Sequence, residues 1–201
     1  MTIAATPSIT PHNPAEEWND ILKAALLRVP ASRTAWVLGH NPAMSRRLAE
    51  QADRLDAGNY PVRFTYRTLY SDMDPNRHLN NGAFGRLFEE GRSDLHHRVI
   101  GMSAGRAAAN GLILLLATIT MEFLREGRYP GSVEVASAVL RVGGSSYVLA
   151  QAAFQDQACI ALADCVMVKA SPGGPVPLTG TERDLLAGLA FGGEPAGTMG
   201  S

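Results

Sequence analysis

The chain has 201 residues, which is typical of one domain with an extension and is long enough to bury a core without disulfides or a structural metal. Charged residues make up 18% of the chain and apolar residues 46%, and this balance excludes a disordered protein. The formal charge is −1, from 18 basic and 19 acidic residues. Such a chain has no overall field that would hold nucleic acid, so we expect no nucleic-acid partner.

The terminal and apolar segments bear on where the protein resides. Met1–Pro14 has neither the basic start nor the apolar stretch of a signal peptide. The longest apolar run, Leu112–Ile119, is too short to span a bilayer. Cys159 and Cys165 fall on one face of a predicted strand, about 20 Å apart, which indicates buried free thiols rather than a disulfide or a zinc site. We therefore expect a soluble, cytoplasmic protein with no membrane segment and no bound metal.

The first part of the chain predicts a helical extension. Asn13 and Asn41 are each followed by proline, as is typical of a helix N-cap and the first helical position. Apolar residues then recur at helical spacing, until Pro30 in the first segment and Gly58 in the second. Since no catalytic pattern occurs here, we interpret residues 1–59 as an N-terminal helical extension.

The middle of the chain predicts a strand, a polar loop and a long helix. Side chains alternate with period two from Val62 to Tyr70, as in a half-buried strand. A loop follows and ends at Gly82. From Phe84 to Val99 the apolar residues fall on one helical face, which predicts a helix packed against a sheet.

The rest of the chain predicts an antiparallel meander. Turn signals at 143–144 (Gly-Gly) and 156–157 (Asp-Gln) separate long strands by tight connections. The predicted strands are Gly111–Arg125, Ser132–Val142, Ser146–Gln155 and Cys159–Lys169. The sequence thus predicts an α+β core over 60–171, with one helix against one sheet. A C-terminal tail over 172–201 contains one short helix, capped by Thr179.

The loop Asp72–Gly82 is the unusual part of the sequence. It concentrates carboxylates, a histidine and carboxamides directly before an apolar helix, and Asn80 or Asn81 is a natural N-cap. The first helical turn offers free N–H groups and the positive end of the helix dipole, which can hold a developing oxyanion. A carboxylate beside it could attack an acyl carbon or deprotonate water. The loop therefore predicts either an acyl-transfer site or a well-capped connection built from ordinary turn residues.

Two motifs in this order resemble one enzyme family. Tyr70–Arg92 begins with an aromatic residue at the end of a strand and then reads D-x-D, H-x-N-N and a helical F-E-E-x-R. Arg141–Tyr147 reads R-V-G-G-S-S-Y. Both resemble the hotdog-fold acyl-CoA thioesterases of the 4-hydroxybenzoyl-CoA thioesterase type, over about residues 63–169. The resemblance implies a hotdog fold, with a long central helix on a curved antiparallel sheet, and hydrolysis of an acyl-CoA.

The resemblance also implies roles for residues of the loop. Asp74 matches the catalytic carboxylate, which acts as nucleophile or as general base on water. The backbone N–H groups of Asn81 and Gly82 match those that polarise the thioester carbonyl. His78 and Asn80 match positions that shape the loop and orient water or substrate, so we place His78 with the catalytic residues and Asn80 with the substrate-binding ones.

Further implications concern other parts of the chain. In related enzymes the carboxylate comes from the central helix, so Glu89 or Glu90 is the reserve candidate. Family members bind CoA along a dimer interface near the strand hairpins, which makes Arg141, Ser145 and Ser146 candidate contacts. CoA enters as part of the substrate, no other cofactor is implied, and the expected assembly is a homodimer or a dimer of dimers.

Two alternatives to the thioesterase remain open. Hydratases and dehydratases of the same fold hold an Asp and a His together, commonly spaced D-x-x-x-x-H. Here Asp74 to His78 is one residue shorter and Asp72 to His78 one longer. The other alternative is a non-catalytic acyl-CoA binding or assembly protein, in which the N-terminal extension would cover the cleft or contact a partner.

Overall fold

The structure, a computed structural model, describes residues 48–99 and 112–193. The helix predicted between Asn13 and Pro30 and the helix start at Asn41 lie outside these residues. The strands are β1 (Val62–Arg67), β2 (Ile113–Phe123), β3 (Ser132–Val142), β4 (Ser146–Gln155), β5 (Ala158–Ser171) and β6 (Gly174–Pro175), and the helices are α1 (Asn81–Asp94) and α2 (Gly180–Ala187).

One antiparallel sheet, with α1 packed against it, forms the body of the molecule. Its strand order is β1-β3-β4-β5-β2, and β6 pairs with the end of β5. The inner face of this curved sheet carries the main hydrophobic core, to which α1 contributes a stripe of buried residues: Ala83, Phe84, Leu87, Phe88 and Gly91. The predicted α+β architecture, a long central helix on a curved antiparallel sheet, is confirmed.

Gly91 lies where α1 approaches the sheet most closely. A Cβ built there would lie 2.5 Å from Cγ1 of Val135 on β3, so a larger residue would push the helix away. The mid-helix glycine costs about 1 kcal/mol relative to alanine. Close packing of the helix on the sheet offsets this cost. Beyond Asp94 the helix continues as one π turn, Leu95–Val99.

The outer face of the sheet is covered by the segment that precedes β1. This segment forms three short 3₁₀ turns, Leu48–Glu50, Ala52–Leu55 and Ala57–Asn59, instead of the continuous helix predicted up to Gly58. An outer cluster results, made of Leu48, Tyr60, Ala136, Ala138, Ala150, Ala152, Phe154, Cys159 and Leu162, with Phe191 packed against it. Because the strands present mainly alanine on this face, the covering segment approaches the sheet closely.

A buried ion pair explains why this segment is not a regular helix. Arg54 is 1% exposed, and its Nη2 lies 2.8 Å from Oδ1 of Asp164 on β5. Its Nε donates to the Tyr60 hydroxyl (3.0 Å), and that hydroxyl donates back to the Arg54 carbonyl (2.9 Å). Asp56 accepts a hydrogen bond from the N–H of Gly58 (2.8 Å), a local bond that competes with helical ones. These long-range and local bonds together favour short turns.

A β-bulge changes which face of β5 its side chains occupy. The pairing of β4 with β5 shifts between Ala153 and Phe154, which leaves Ile160 as an extra residue. Cys159 consequently lies in the outer cluster and Cys165 in the inner core. Both are buried free thiols, but the prediction that they share one face is wrong.

The β4–β5 turn places two residues other than glycine in the left-handed region. Asp156 has φ 51° and Gln157 has φ 64°, the conformation of a two-residue type I′ hairpin turn. Because glycine adopts this conformation without steric strain, we expect Gln157→Gly to stabilise the fold by about 0.5–1 kcal/mol. Urea unfolding of both proteins measures the difference. An equal or lower midpoint for the variant would contradict this account of the turn.

The C-terminal helix α2 closes the far end of the core. Thr179 is its N-cap, accepting from the N–H of Glu182 (3.2 Å), and the Glu182 side chain accepts from the N–H of Thr179 (2.7 Å). Glu182 also pairs with the buried Lys169 of β5 at 2.9 Å. Leu186 fills the inner core. Ion pair and apolar contact together hold α2 against the sheet.

After α2 the chain extends the edge of β3. The N–H of Val139 donates to Leu189 (2.7 Å), and the N–H of Phe191 donates to Val139 (3.0 Å). The next residue, Gly192, donates to the carbonyl of Asn59, three residues before β1 (2.8 Å). The segments that flank the sheet therefore meet beside β3. Over the described residues, no helix is both long and apolar enough to span a membrane.

Candidate active site

The loop between β1 and α1 is a compact, internally hydrogen-bonded structure. Met73 and Leu79 form an isolated antiparallel bridge. Inside it the N–H of Asp74 donates to His78 (2.9 Å), and the N–H of Arg77 donates to Asp74 (3.0 Å). Arg77 has φ 66°, which turns the chain back toward the helix. The loop therefore holds Asp74 in one defined position.

The Asp74 carboxylate accepts hydrogen bonds from its own loop. Oδ1 accepts from the N–H of Asn76 (2.8 Å) and of His78 (3.0 Å), and Oδ2 accepts from the Asn76 amide (3.3 Å). These donors, above all the N–H of His78, lower the pKa of Asp74 below its ordinary 3.8. The carboxylate is therefore ionised at neutral pH and partly exposed.

The N-terminus of α1 follows this loop directly. Asn80 is the N-cap, and its Oδ1 accepts from the N–H of Ala83 (2.9 Å). Asn81 and Gly82 are exposed. Their N–H groups belong to the first turn of the helix and so have no intrahelical acceptor. Two donors at the positive end of the dipole thus lie at the surface, seven and eight residues after Asp74.

Asp72 joins the two ends of the loop, a role that no local sequence pattern indicates. It is 5% exposed, and its Oδ2 accepts from the N–H of Leu69 (2.7 Å) and from Arg86 of α1 (2.6 Å). Its carbonyl accepts from the N–H of Asn80 (2.8 Å). Asp72 therefore fixes the helix N-terminus relative to the loop. Its partner Arg86 is 14 residues away, beyond any local pattern.

His78 directs its ring toward a different segment. Nε2 lies 3.0 Å from Oε2 of Glu126, which follows β2. The contact that His78 makes with Asp74 is through its backbone. The side chains of Asp74 and His78 thus do not form the Asp–His pair expected of a hydratase.

The reserve carboxylates lie on α1, farther from the loop. Glu89 is exposed, and its Oε2 forms an ion pair with Arg92, one turn later. Arg92 is buried and also donates to Gln151 on β4 (2.9 Å), which anchors it in the core. Glu90 is exposed on the adjoining side of the helix. Of the two, Glu89 is therefore the one in a fixed position.

The hairpin candidates lie at the opposite end of the sheet from Asp74. Arg141 is near the end of β3, about 30 Å along the strand from its start at Ser132, which is the end nearest the loop. Backbone bonds engage the turn, since the carbonyl of Ser146 accepts from Gly143 (2.7 Å) and that of Ser145 from Lys169 (2.8 Å). Within one chain these three candidates and Asp74 do not form a common site.

No group of three or more metal-ligating side chains occurs among residues 48–99 and 112–193. The groups at the site are the ionised Asp74 carboxylate and the exposed amide donors at the N-terminus of α1. Together they are able to activate water or attack a carbonyl carbon, and to stabilise negative charge on a carbonyl oxygen.

Several solved structures are similar to this one. A protein from Pseudomonas aeruginosa strain PAO1 is 22% identical with a TM-score of 0.62, over 70% of this chain and 98% of that one. A thioesterase from Thermus thermophilus, complexed with coenzyme A and Zn, is 24% identical with a TM-score of 0.57, over 69% and 98%. A 1,4-dihydroxy-2-naphthoyl-CoA thioesterase from Synechocystis is 13% identical with a TM-score of 0.58, over 63% and 96%. These likenesses establish the hotdog fold.

Sequence comparison goes further than the fold. Among curated proteins, none matches this chain. A family model described as the thioesterase-like superfamily matches residues 68–180, which span the Asp74 loop, α1 and the strands that follow it. Since this match covers more than half of its 201 residues, the chain belongs to the thioesterase-like superfamily.

Proposed function

We propose that this protein hydrolyses an acyl-CoA thioester to a free acid and CoA, with Asp74 as the working carboxylate. Membership of the thioesterase-like superfamily supports hydrolysis of a thioester. Coenzyme A in the similar Thermus thermophilus structure supports CoA as the thiol. The observation that carries the proposal is the ionised Asp74 carboxylate, held by amide donors directly before a helix whose first N–H groups are exposed.

The proposed reaction uses these groups in one of two ways. In the first, Asp74 removes a proton from water, and the resulting hydroxide attacks the thioester carbonyl carbon. In the second, an Asp74 oxygen attacks that carbon, the C–S bond breaks, and water then hydrolyses the mixed anhydride. In both, the N–H groups of Asn81 and Gly82 stabilise the oxyanion, and CoA leaves as a thiolate that takes up a proton.

The proposal is tested by measuring thiol release from a panel of acyl-CoAs. The panel contains short, medium and long aliphatic acyl groups and aromatic ones, at matched concentrations. We expect turnover of at least one member well above the rate without protein. Release from none of them, by protein that is folded by circular dichroism, would contradict CoA thioester hydrolysis.

We further propose that the protein is a homodimer joined through β2. This strand is 11 residues long, has a single charged residue, and pairs with β5 along one edge. Among the described strands none pairs with its second edge. Its residues are half-buried or exposed throughout, as expected of a long apolar edge strand that still lacks a partner.

Charges on β2 test the dimer. Thr118 and Thr120 lie on the outer face of the strand, and lysines there would face equivalent lysines across a two-fold axis. We expect light scattering to give twice the chain mass of 21.4 kDa for the wild type. In Thr118→Lys with Thr120→Lys, the dimer dissociation constant should rise about 100-fold. Thr65→Lys on β1, the other terminal strand, is the control and should remain dimeric. An equal dissociation constant for the wild type and the double variant, from light scattering over a dilution series, would contradict the β2 interface.

A further inference from the structure

Two segments join beside Asp74 to form one continuous surface. The N–H and the hydroxyl of Thr68 both donate to the carbonyl of Gly131 (3.0 Å each). The N–H of Leu79 donates to the carbonyl of Gly127 (2.8 Å), and His78 pairs with Glu126. Residues 68–79 and 126–131 are thus held together, and Asp74 lies between these connections.

The joined segments expose two aromatic rings. Tyr70 is 80% exposed and Tyr129 is 40% exposed, and their ring centroids lie 5.9 Å apart at an interplanar angle of 79°. Leu69 beside them is also exposed. Single exposed apolar side chains are common, but a cluster of large ones is typical of a binding surface.

Exposed arginines concentrate at the same place. Of the six exposed arginines among the described residues, four lie on these segments or directly before them: Arg67, Arg77, Arg125 and Arg128. The other two, Arg63 and Arg141, lie elsewhere on the sheet. The three acidic residues of the segments are engaged: Asp72 pairs with Arg86, Glu126 pairs with His78 and Arg128, and Asp74 accepts hydrogen bonds from its own loop. The surface therefore carries an excess of positive charge.

The core fixes the backbone that carries part of this surface. Gln155 is 8% exposed, and its Oε1 accepts from the N–H of Arg128 (2.8 Å) while its Nε2 donates to the Arg128 carbonyl (2.9 Å). The Arg128 side chain itself is 73% exposed, and its Nη2 lies 3.4 Å from Oε2 of the exposed Glu126, a surface pair that leaves the other guanidinium nitrogens accessible to a ligand. Because its backbone is held on both sides, the arginine is presented to solvent from a fixed position, which lowers the entropy cost of binding a ligand.

We propose that this basic aromatic surface binds the nucleotide end of the acyl-CoA, an inference that rests on the proposed function. Tyr70 and Tyr129 offer rings on which an adenine can stack, and stacking of bases on aromatic side chains is a general mode of recognition. Arg77, Arg125 and Arg128 offer guanidinium groups, which bind phosphate oxygens through charge-assisted hydrogen bonds.

This occupant fits the surface better than an acidic carrier protein does. A carrier would use the positive charge but would leave the paired rings without a planar group to contact. The 3′,5′-phosphorylated adenosine of CoA supplies both the charge and the ring. Within one chain the surface adjoins Asp74, whereas the hairpin candidates lie at the other end of β3, so the assigned subsite uses different residues from those implied by resemblance.

The test compares two substrates with the same acyl group, an acyl-CoA and the matching acyl-pantetheine, which lacks the nucleotide. In the wild type we expect kcat/KM for the acyl-CoA to exceed that for the acyl-pantetheine by at least about tenfold. In Arg128→Ala and in Tyr70→Ala this ratio should fall about tenfold each, through KM for the acyl-CoA. Arg63→Ala, at an exposed arginine on β1, is the matched control and should keep the wild-type ratio.

A binding titration separates this inference from the proposed function. Adenosine 3′,5′-bisphosphate should bind to the wild type and to Arg63→Ala, and at least about tenfold more weakly to Arg128→Ala. This measurement requires no turnover, so it decides the inference even where no thioester is hydrolysed. A wild-type ratio near one, equal binding by all three proteins, or a ratio that falls in Arg141→Ala but not in Arg128→Ala would overturn it. If Arg128→Ala lost activity only with acyl-carrier-protein substrates, that result would also overturn the inference.

Discussion

Replacing Asp74 with asparagine should lower kcat by about 10²–10⁴-fold, the range that a positioned acid–base group contributes. The asparagine Oδ1 can still accept from the N–H groups of Asn76 and His78, so the loop keeps its shape. The negative charge, the reactive oxygen and the long hydrogen bond from the Asn76 amide to Oδ2 (3.3 Å) are lost. The measurement is thiol release from the best acyl-CoA of the panel, with unfolding midpoints to show that stability is unchanged.

The control for this variant is Asp156→Asn. Asp156 is exposed, and its left-handed conformation is one that asparagine adopts readily, so folding and turnover should both be preserved. Full activity of Asp74→Asn would contradict the assignment. Glu89, the carboxylate held by Arg92, would then be replaced by glutamine in the same assay.

The pH dependence of the reaction follows from the hydrogen bonds to Asp74. Because the N–H of His78 stabilises the charged form, the pKa of Asp74 lies below 3.8, and the group stays ionised through the mildly acidic range. We therefore expect protonation of Asp74 to lower kcat/KM only below about pH 4. A profile of kcat/KM from about pH 3 to 8 measures this. A fall in wild-type kcat/KM with a midpoint above pH 5 would contradict this expectation, provided that the residual activity of Asp74→Asn shows no such fall.

Replacing Arg54 with alanine should destabilise the protein by about 3–5 kcal/mol, because it leaves the buried Asp164 carboxylate without its counter-ion. This is a large part of the total stability of an ordinary domain. Arg54 also bonds to the Tyr60 hydroxyl and lies 5.7 Å from the centre of the Phe191 ring. Its loss should therefore loosen both segments that cover the outer face. Urea unfolding measures the effect, with Arg63→Ala as the exposed control.

The ionisation of Asp164 determines how the stability of Arg54→Ala changes with pH. Burial raises the pKa of Asp164, and Arg54 offsets part of that rise. Without the guanidinium the pKa rises further, so the folded variant favours the protonated acid. The stability deficit should be greatest above the raised pKa and should shrink as the pH falls through it.

A double variant shows whether the effect is one of charge. Replacing Arg54 with methionine and Asp164 with leucine removes both charges and keeps apolar volume, which is often neutral for a buried pair. We expect it to recover more than half of the stability lost in Arg54→Ala. A double variant as unstable as the single one would mean that packing, and not the unpaired charge, dominates.

The fold was predictable from sequence where local signals decide it. β3 and β4 begin and end at the predicted residues, because alternation and turn residues mark both ends. The face of Cys159 was not predictable, since the bulge at Ile160 shifts an alternation that the sequence shows as continuous. The segment before Gly58 has helical spacing, yet it forms 3₁₀ turns because Arg54 bonds to a residue 110 positions away.

The candidate site likewise has features that the local sequence indicates and contacts that it does not. The cluster of Asp74, Asn80 and the helix start is local, so the loop could be singled out from its composition. The contacts that hold and surround it are not local, because Glu126 lies 48 residues after His78 and Tyr129 lies 59 after Tyr70. Their convergence depends on the pairing of strands, which no spacing within the loop encodes.

The hydrogen bond from Gly192 to Asn59 links the two segments that flank the sheet. Phe191 packs on the same outer cluster that Leu48 and Tyr60 complete. Either segment therefore loses contacts when the other is removed. A shortened protein that keeps only the strands and α1 would expose the alanine-rich outer face of the sheet and the Asp164 carboxylate, and it should aggregate. In chimaeras made from two homologues, residues 48–60 and 176–192 should therefore come from the same parent. Chimaeras that take these two segments from different parents should rarely fold.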